Sequence, residues 1–525
     1  CEKCPLEWKP KRPVAALDYW ISPHSCDGTS GFPPLTAHRP GRYHSADSVA
    51  TSLRLSPILA PSLANKVENR KNIINMLTSR FGAQCLVIQI LAMAASGTGT
   101  KLEGGTCPVA RGSSCGGGGT PSDQARYDNY RIYNVEFENE EQITLFQKLE
   151  EQSDSLTFIG HAREIGQKLS ILVSAHRVAD IADLLKTYKV KHRILTYNFQ
   201  EKIDRNLGEV QPESIDASQF DWQHFFHLKT IYEWLEKMAD KYPQRVTVLD
   251  MGTSTQGNAI KGVKLTSNPN NKAIFIESGI HAREWIAPAA ATYIINQLLT
   301  SQDPGVQKLA QDYNWIVFPC VNPDGYKYTF EHDRMWRKNR QLFGTCRGVD
   351  LNRNYPDHWN STGSSSDPTR YDYAGPSAGS EQETQRLIEF IRSNVEKEQI
   401  KTYIALHSYS QMLMFPYGYT KDRVSNYDDL QEFGKKASAA IKAESGRDYV
   451  SGSLYETIYP SSGGSMDWAH SEAGIPIAYT FELRGPPDSQ DLFILPAVEI
   501  QPTASEAFTA IRTIVESAAE KGYYK

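Results

Sequence analysis

A chain of 525 residues exceeds one ordinary domain, and about two to four are expected. Its 40% hydrophobic content suffices for packed cores. A net charge of −5 without long runs of one sign argues against nucleic acid or a polybasic membrane contact as partner.

Residues 1–121 are rich in Pro, Ser, Gly and Cys, lack apolar periodicity and close on Gly116–Gly119. Six of the eight cysteines fall here at irregular spacing, and Cys1-x-x-Cys4 has no second pair to complete a zinc knuckle. The composition points to a disordered head. Within it, residues 76–96 combine Arg80, an apolar run from Cys85 to Ala92, and the small-x-small triplet Ala92-Met93-Ala94. That is the layout of a signal peptide, which implies a secreted, extracellular product, and the run is too short to span a bilayer. The alternative is a short apolar stretch in sequence foreign to the protein.

Residues 126–198 alternate element types. "YRIYNVEF" alternates as a strand does, and "EEQITLFQKLEE" sets Ile143, Phe146 and Leu149 on one helical stripe. "SLTFIG" and "KLSILVSA" are strand-like, "HRVADIADLLKTY" presents Val178, Ile181 and Leu185 on one face, and "VKHRILTY" closes the series. The order β-α-β-β-α-β is that of a small ferredoxin-like α+β domain. Its strand-to-strand connection contains His161-Ala162-Arg163-Glu164, read as a solvated turn with no metal partners nearby. Residues 199–218 are polar and predict an exposed linker open to proteolysis, with Arg205 a candidate site for a trypsin-like protease.

Residues 219–525 predict one larger α/β domain. Its strands are "RVTVLDMG", "IKGVKLT", "KAIFIESG", "NWIVFPC", "KTYIALHS" and "IPIAYTFEL". Helices are expected at about 286–300, 380–396, 427–445 and 503–520, the second with Ser380 and Glu383 as a capping box. Uniformly apolar strands suit a central sheet covered by helices on both faces.

The tetrapeptide HARE recurs at 281–284, here directly after an apolar strand and before a helix, the usual crevice position in an α/β sheet. His281 and Glu284 can aim at one point from a single turn. His407, ending another apolar strand, completes a His₂Glu set suited to catalytic zinc.

The segments "ESGIHAREWIAPA", "NPDGY", "DRMWRKNR", "GVDLNRNY", "LHSYSQ", "TIYPSSGGSMDW" and "YTFELR" occur in the order seen in pancreatic-type zinc carboxypeptidases. Over about residues 126–525 the chain resembles a digestive procarboxypeptidase of the A/B family. The resemblance implies a carboxypeptidase-like mixed sheet at 219–525 and an activation propeptide at 126–198. It also implies one Zn²⁺ per catalytic domain on His281, Glu284 and His407. Glu482 matches the general base, Arg337 the oxyanion-stabilising arginine, and Asn352 with Arg353 the clamp for the substrate's terminal carboxylate. Tyr459 matches a mobile tyrosine that closes over the bound end, and Arg283, Ser408 and Tyr409 match subsite residues. Lys338 and Arg340 beside the oxyanion arginine are read as solvated charges.

Where B-type enzymes carry a selecting Asp at the pocket floor, this chain has Met466, which implies an A-type preference for apolar C-terminal residues. Asp467 belongs to the shared "DW" pair. The family disulfide would use Cys346, but its partner position is Thr369; Cys320 either pairs with Cys346 or both are free thiols. Asn360-Ser361-Thr362 is an acceptor sequon. The expectation is a secreted, monomeric zymogen, working in a digestive lumen, that trims peptide C-termini after cleavage by a trypsin-like protease. A B-type or mixed specificity is the nearer alternative, and a non-catalytic binder of peptide C-termini the remote one.

Overall fold

The computed structural model describes residues 124–153, 155–485 and 491–525. The head at 1–121, with its candidate signal segment 76–96, lies outside them.

The small domain contains β1 (Arg131–Glu136), α1 (Glu140–Gln152), β2 (Leu156–Ile159), β3 (Lys168–Val173), α2 (Val178–Thr187) and β4 (Lys191–Thr196). Its antiparallel sheet has the order β2-β3-β1-β4, as the ferredoxin-like reading requires. Strand alternation divides the side chains between two faces. Tyr133, Val135, Leu169, Ile171 and Val173 pack under α1 and α2 with Ile143, Phe146, Ile181 and Leu185. Ile132 and Leu172 face the other way, onto Met335, Tyr409, Phe493 and Ile494 of the large domain.

The first half of the segment expected to be an exposed linker is instead a helix, α3 (Phe199–Gly208). Phe199 and Ile203 are its apolar contacts, sunk into the seam between the domains, while Arg334 donates to Asn206 Oδ1 at 2.9 Å. The two apolar residues stand four apart, one helical turn, so a mostly polar stretch still has a face to bury.

The large domain begins with α4 (Leu228–Lys241), followed by β5 (Val246–Thr253), β6 (Ala259–Leu265) and β7 (Ala273–Ser278). After β7 come α5 (Ile286–Thr300), α6 (Pro304–Asp312), β8 (Asn314–Phe318) and α7 (Pro323–Glu331). A small hairpin, β9 (Leu342–Phe343) and β10 (Cys346–Arg347), precedes α8 (Gln382–Asn394) and β11 (Ile400–His407). The remainder is β12 (Met412–Phe415), α9 (Tyr427–Ser445), β13 (Val450–Ser453), α10 (Leu454–Thr457), α11 (Ser465–Ser471), β14 (Ile477–Glu482) and α12 (Ile500–Glu520).

Eight strands form a mixed sheet in the order β13-β12-β14-β11-β7-β8-β6-β5. Its centre, β14-β11-β7-β8, is parallel and buried on both faces, with β7 entirely buried. Ile274 and Ile276 of β7 pack into the layer containing α4, α5, α9 and α12; Ala273 and Phe275 pack into the layer containing α8 and α11. The result is the helix-covered α/β sandwich expected from the apolar strands. The edge strand β13 and its neighbour β12 were not foreseen: "MLMF" is short and "VSGS" carries almost no apolar pattern.

Two local expectations are corrected. Helix α8 starts at Gln382, so Ser380 is not its cap; the Glu383 carboxylate accepts instead from the Thr255 N–H at 3.0 Å and Asn339 Nδ2 at 3.0 Å. Cys320 is buried and free while Cys346 is disulfide-bonded, so the two neither pair with each other nor are both free thiols.

Candidate active site

Three neighbouring parallel strands converge on one edge. His407 ends β11 and lies in register with Glu482 at the end of β14; on the other side β7 pairs Ser278 with Leu406. The chain leaves β7 through Gly279, whose φ of +66° strains any other residue and where an added Cβ would crowd Cys320 Cα at 3.2 Å. His281–Glu284 follow at once, tied by Ala282 N–H to Arg337 O at 3.0 Å.

His281, Glu284 and His407 bring their donor atoms together in a buried group, the one such cluster of three found among the described residues. His281 Nδ1 lies 2.9 Å from Glu284 Oε1, His407 Nδ1 3.2 Å from Glu284 Oε2, and the two Nδ1 atoms are 3.0 Å apart. Ligands at about 2.1 Å in a tetrahedron stand about 3.4 Å from one another, so these somewhat tighter spacings suit a single small cation such as zinc. The donor set fits as well, because two imidazole nitrogens facing each other are held together by a cation between them. Asp350 supports the group from behind. Its Oδ1 lies 3.1 Å from His281 Nε2, which leaves Nδ1 with the free lone pair. Burial would raise Glu284, but the His281 and His407 contacts overcome it and hold the carboxylate low.

Arg337 donates through Nε and Nη2 to Asp350 Oδ2, at 3.0 and 2.8 Å, and its Nη1 stands 3.7 Å from Glu284 Oε1. Asp350 therefore orients a candidate ligand and the candidate oxyanion donor together. The motif "GVDLNR" contained this residue, yet only its Asn and Arg drew attention. Glu482 is pushed up by burial first and then by the Glu284 charge, while His407 and Arg337 oppose the shift. A divalent cation at the three ligands would oppose it further.

Arg353 donates to Gly363 O at 2.8 Å, Asn352 O at 2.8 Å and the Tyr459 hydroxyl at 3.3 Å. Asn352, Arg353, Arg283, Ser408, Tyr409, Tyr459, Arg337, His281, Glu284 and Glu482 all line one cavity, as the motifs led us to expect. Met466 does not: it is 2% exposed and packs in the core with Leu351, Tyr355 and Trp468. Met414, Leu454, Ile458, Tyr371, Thr480 and Phe493 also line the cavity, and most of them come from segments without a polar signature. Lys338 and Arg340 are not solvated. Lys338 donates to Pro368 O and Arg370 O at 2.9 and 2.8 Å, with burial pushing it down to about 7. The Arg340 guanidinium lies 3.4 Å over the Tyr328 ring. Backbone carbonyls and aromatic faces take these cations inside, which a run of basic letters does not reveal.

The other HARE is also corrected. It occupies the expected strand connection, and Arg163 and Glu164 are exposed there as read, but the half-buried His161 helps to close the cavity. Phe158, Ile159, Gly160 and His161 line the same space. His161 stands edge-on to Tyr459 with ring centroids 4.6 Å apart, and its Nδ1 pairs with Glu150 Oε1 at 2.6 Å. Arg163 donates to Ile458 O, and Arg370 to Glu150 O at 2.5 Å. With these in place the cavity holds about 100 Å³, below the several hundred Å³ that a ligand pocket needs.

A helix-flanked mixed sheet with a His₂Glu set able to hold a metal at its strand ends, basic groups facing the same cavity and a separate domain across the mouth defines the class of a latent metallopeptidase. Residues 231–510 match the family described as "Zinc carboxypeptidase", and residues 133–206 match "Carboxypeptidase activation peptide". The chain is 41% identical to zinc carboxypeptidase A 1 of Anopheles gambiae, over 77% of this chain and 93% of that protein. It is 40% identical to carboxypeptidase B of Astacus astacus, over 56% of this chain and 97% of that protein. Among solved structures it is similar to thrombin activatable fibrinolysis inhibitor, with TM-score 0.69 and 30% identity, over 75% of this chain and 100% of that one. The chain belongs to the zinc carboxypeptidase family. It is a zinc-dependent carboxypeptidase carrying an activation propeptide, and it acts on peptide C-termini.

Proposed function

We propose that this zymogen releases apolar or aromatic C-terminal residues, and that His281, Glu284 and His407 hold its zinc. The observation that carries the A-type reading is the cavity wall. Its carboxylates are Glu284, a proposed ligand, and Glu482, in register with the ligand His407, and its other side chains include Met414, Leu454 and Ile458. A C-terminal Lys or Arg would find no further acid on that wall. Asp467, next to the position that selects basic residues in B-type enzymes, is buried and accepts from the Gly418 N–H at 2.8 Å.

Bound zinc supplies Lewis acidity and lowers the pKa of a water to about 7. Glu482 takes the proton from the attacking water and passes it to the departing amine. Arg337, held by Asp350, donates N–H groups to the carbonyl oxygen as charge develops there. Asn352 and Arg353 grip the terminal carboxylate, which restricts cleavage to chain ends. Tyr459 closes over the bound residue, with Arg283, Ser408 and Tyr409 contacting the preceding ones.

In the uncleaved chain the Tyr459 hydroxyl already accepts from Arg353, and His161 abuts the Tyr459 ring. Latency follows from that occupancy, and a cut near Arg205 by a trypsin-like protease would end it. Arg205 is exposed on α3, so activation there requires this helix to open locally. We further propose that the enzyme is secreted as a monomer; among the described residues no helix is long and apolar enough to cross a membrane. Blocked dipeptides ending in Phe, Leu, Lys and Glu, assayed before and after trypsin and with a chelator, test the reading. Turnover of the Phe and Leu substrates should appear after trypsin and vanish on chelation. Preference for Lys would overturn the A-type assignment.

A further inference from the structure

A carboxyl group sits inside the sheet where no step above uses it. Glu277, the penultimate residue of β7, is fully buried and does not line the cavity. Its Oε1 accepts from the Tyr403 hydroxyl at 2.8 Å and from Ser465 Oγ at 2.6 Å, while Oε2 has no hydrogen-bond partner among the described residues. Burying a carboxyl with one unsatisfied oxygen opposes folding, and burial raises its pKa. What the arrangement secures is Ser465, the first residue of α11. The backbone N–H of the same Ser465 donates to Asn352 Oδ1 at 2.9 Å. With its oxygen committed there, Asn352 has only its amide N–H donors to offer the cavity it lines.

We propose that Glu277 is a positioning residue for substrate binding, acting through Ser465 to hold Asn352 with its donors toward the terminal carboxylate. The inference rests on the reading of Asn352 and Arg353 as the carboxylate clamp. The Glu277–Ser465 hydrogen bond is fully buried and the Ser465–Asn352 bond half-buried, so little play separates Glu277 from the clamp. Tyr403 shares the same carboxyl oxygen but leads to no clamp residue, which separates positioning from simple support of the core.

The test uses the full chain, loaded with zinc and activated by trypsin, on a blocked dipeptide ending in Phe. Glu277→Ala and Ser465→Ala should each raise KM roughly tenfold, the scale of one weakened hydrogen bond to a charged group, with kcat within about twofold. Glu277→Gln should restore KM, because its side-chain oxygen accepts both bonds and its amide replaces an oxygen that had no partner. The double variant Glu277→Ala/Ser465→Ala should be no worse than either alone. Tyr403→Phe should lower Tm and leave KM in place. Should Glu277→Ala not fold, Ser465→Ala carries the same expectation, since it removes only a hydroxyl. Asn352→Ala provides the reference. If it raises KM while Glu277→Ala and Ser465→Ala do not, the coupling is refuted and the clamp stands. If Asn352→Ala itself keeps the wild-type KM, the clamp reading falls and the coupling with it. Additive losses in the double variant, or a KM rise in Tyr403→Phe equal to that of Ser465→Ala, would also overturn the proposal.

Discussion

Replacing Asp350 with asparagine conserves shape but sets donor against donor. The carboxylate is fully buried; Oδ1 serves His281 Nε2 at 3.1 Å and the Asn352 N–H at 3.0 Å, and Oδ2 serves Arg337 twice. An amide has one oxygen for these two sides. Either way Arg337 loses the Asp350 charge, and if the NH₂ turns to Arg337 the guanidinium loses its acceptor as well, at a cost of about 3–5 kcal/mol. If it turns to His281, Nε2 must accept, the ring proton moves to Nδ1, and that nitrogen can no longer ligate. Loss of such a supporting carboxylate lowers metal affinity about 10- to 100-fold, or about 1.4–2.7 kcal/mol. At free zinc about 100 times the wild-type Kd, the metal stabilises the wild type by about 2.7 kcal/mol. A variant binding 100-fold more weakly would gain only about 0.4 kcal/mol at the same concentration. Competition against a zinc-indicator chelator, with Tm recorded with and without zinc, reads both quantities. A D350N protein whose zinc affinity stays within twofold of wild type, with kcat/KM intact, would refute the assignment of His281 Nδ1 as a ligand held by Asp350.

Asp467 is raised from 3.8 to about 7 by burial, so the folded chain keeps a proton that the unfolded chain loses. Stability should then fall as pH rises from about 4 to 7, by a few kcal/mol at most, and Asp467→Asn should flatten that slope in thermal unfolding; an unchanged slope would refute it. Lys338 has the opposite sign. Its folded-state value of about 7 against 10.5 means the unfolded chain binds the extra proton, so stability should rise between about pH 7 and 10.5. Lys338→Met should remove that rise and cost about 1–3 kcal/mol by stranding the carbonyls of Pro368 and Arg370. For latency, the double variant His161→Ala/Arg163→Ala removes the contacts with Tyr459 and Ile458. Each is a contact of about 1 kcal/mol, so background turnover by the uncleaved chain should rise about 5- to 30-fold. An unchanged background would show that other contacts of the small domain carry the block.

Patterns of one or two turns were the legible part of this chain. The β-α-β-β-α-β order, the apolar central strands and the strand-end positions of His281, His407 and Glu482 all follow from periodicity and local motif. Helix α4 was equally readable, with Leu228, Ile231, Trp234 and Leu235 on one face, and was overlooked beside the stronger strand signals. The buried cations Lys338 and Arg340 misled, because a basic run looks the same whether water, carbonyls or aromatic rings receive it.

The two HARE tetrapeptides mark the boundary most clearly. Local sequence determines that each sits in a turn after a strand, since that depends on neighbours a few residues away. Where those turns end up depends on how strands hundreds of residues apart align. Register brings His281, His407 and Glu482 to one edge, and it is domain packing that lays His161 against Tyr459, a contact spanning about 300 positions. The same letters therefore contribute to a candidate metal site in one place and help to close its cavity from the other, because burial and partners belong to the assembled sheet and not to the tetrapeptide.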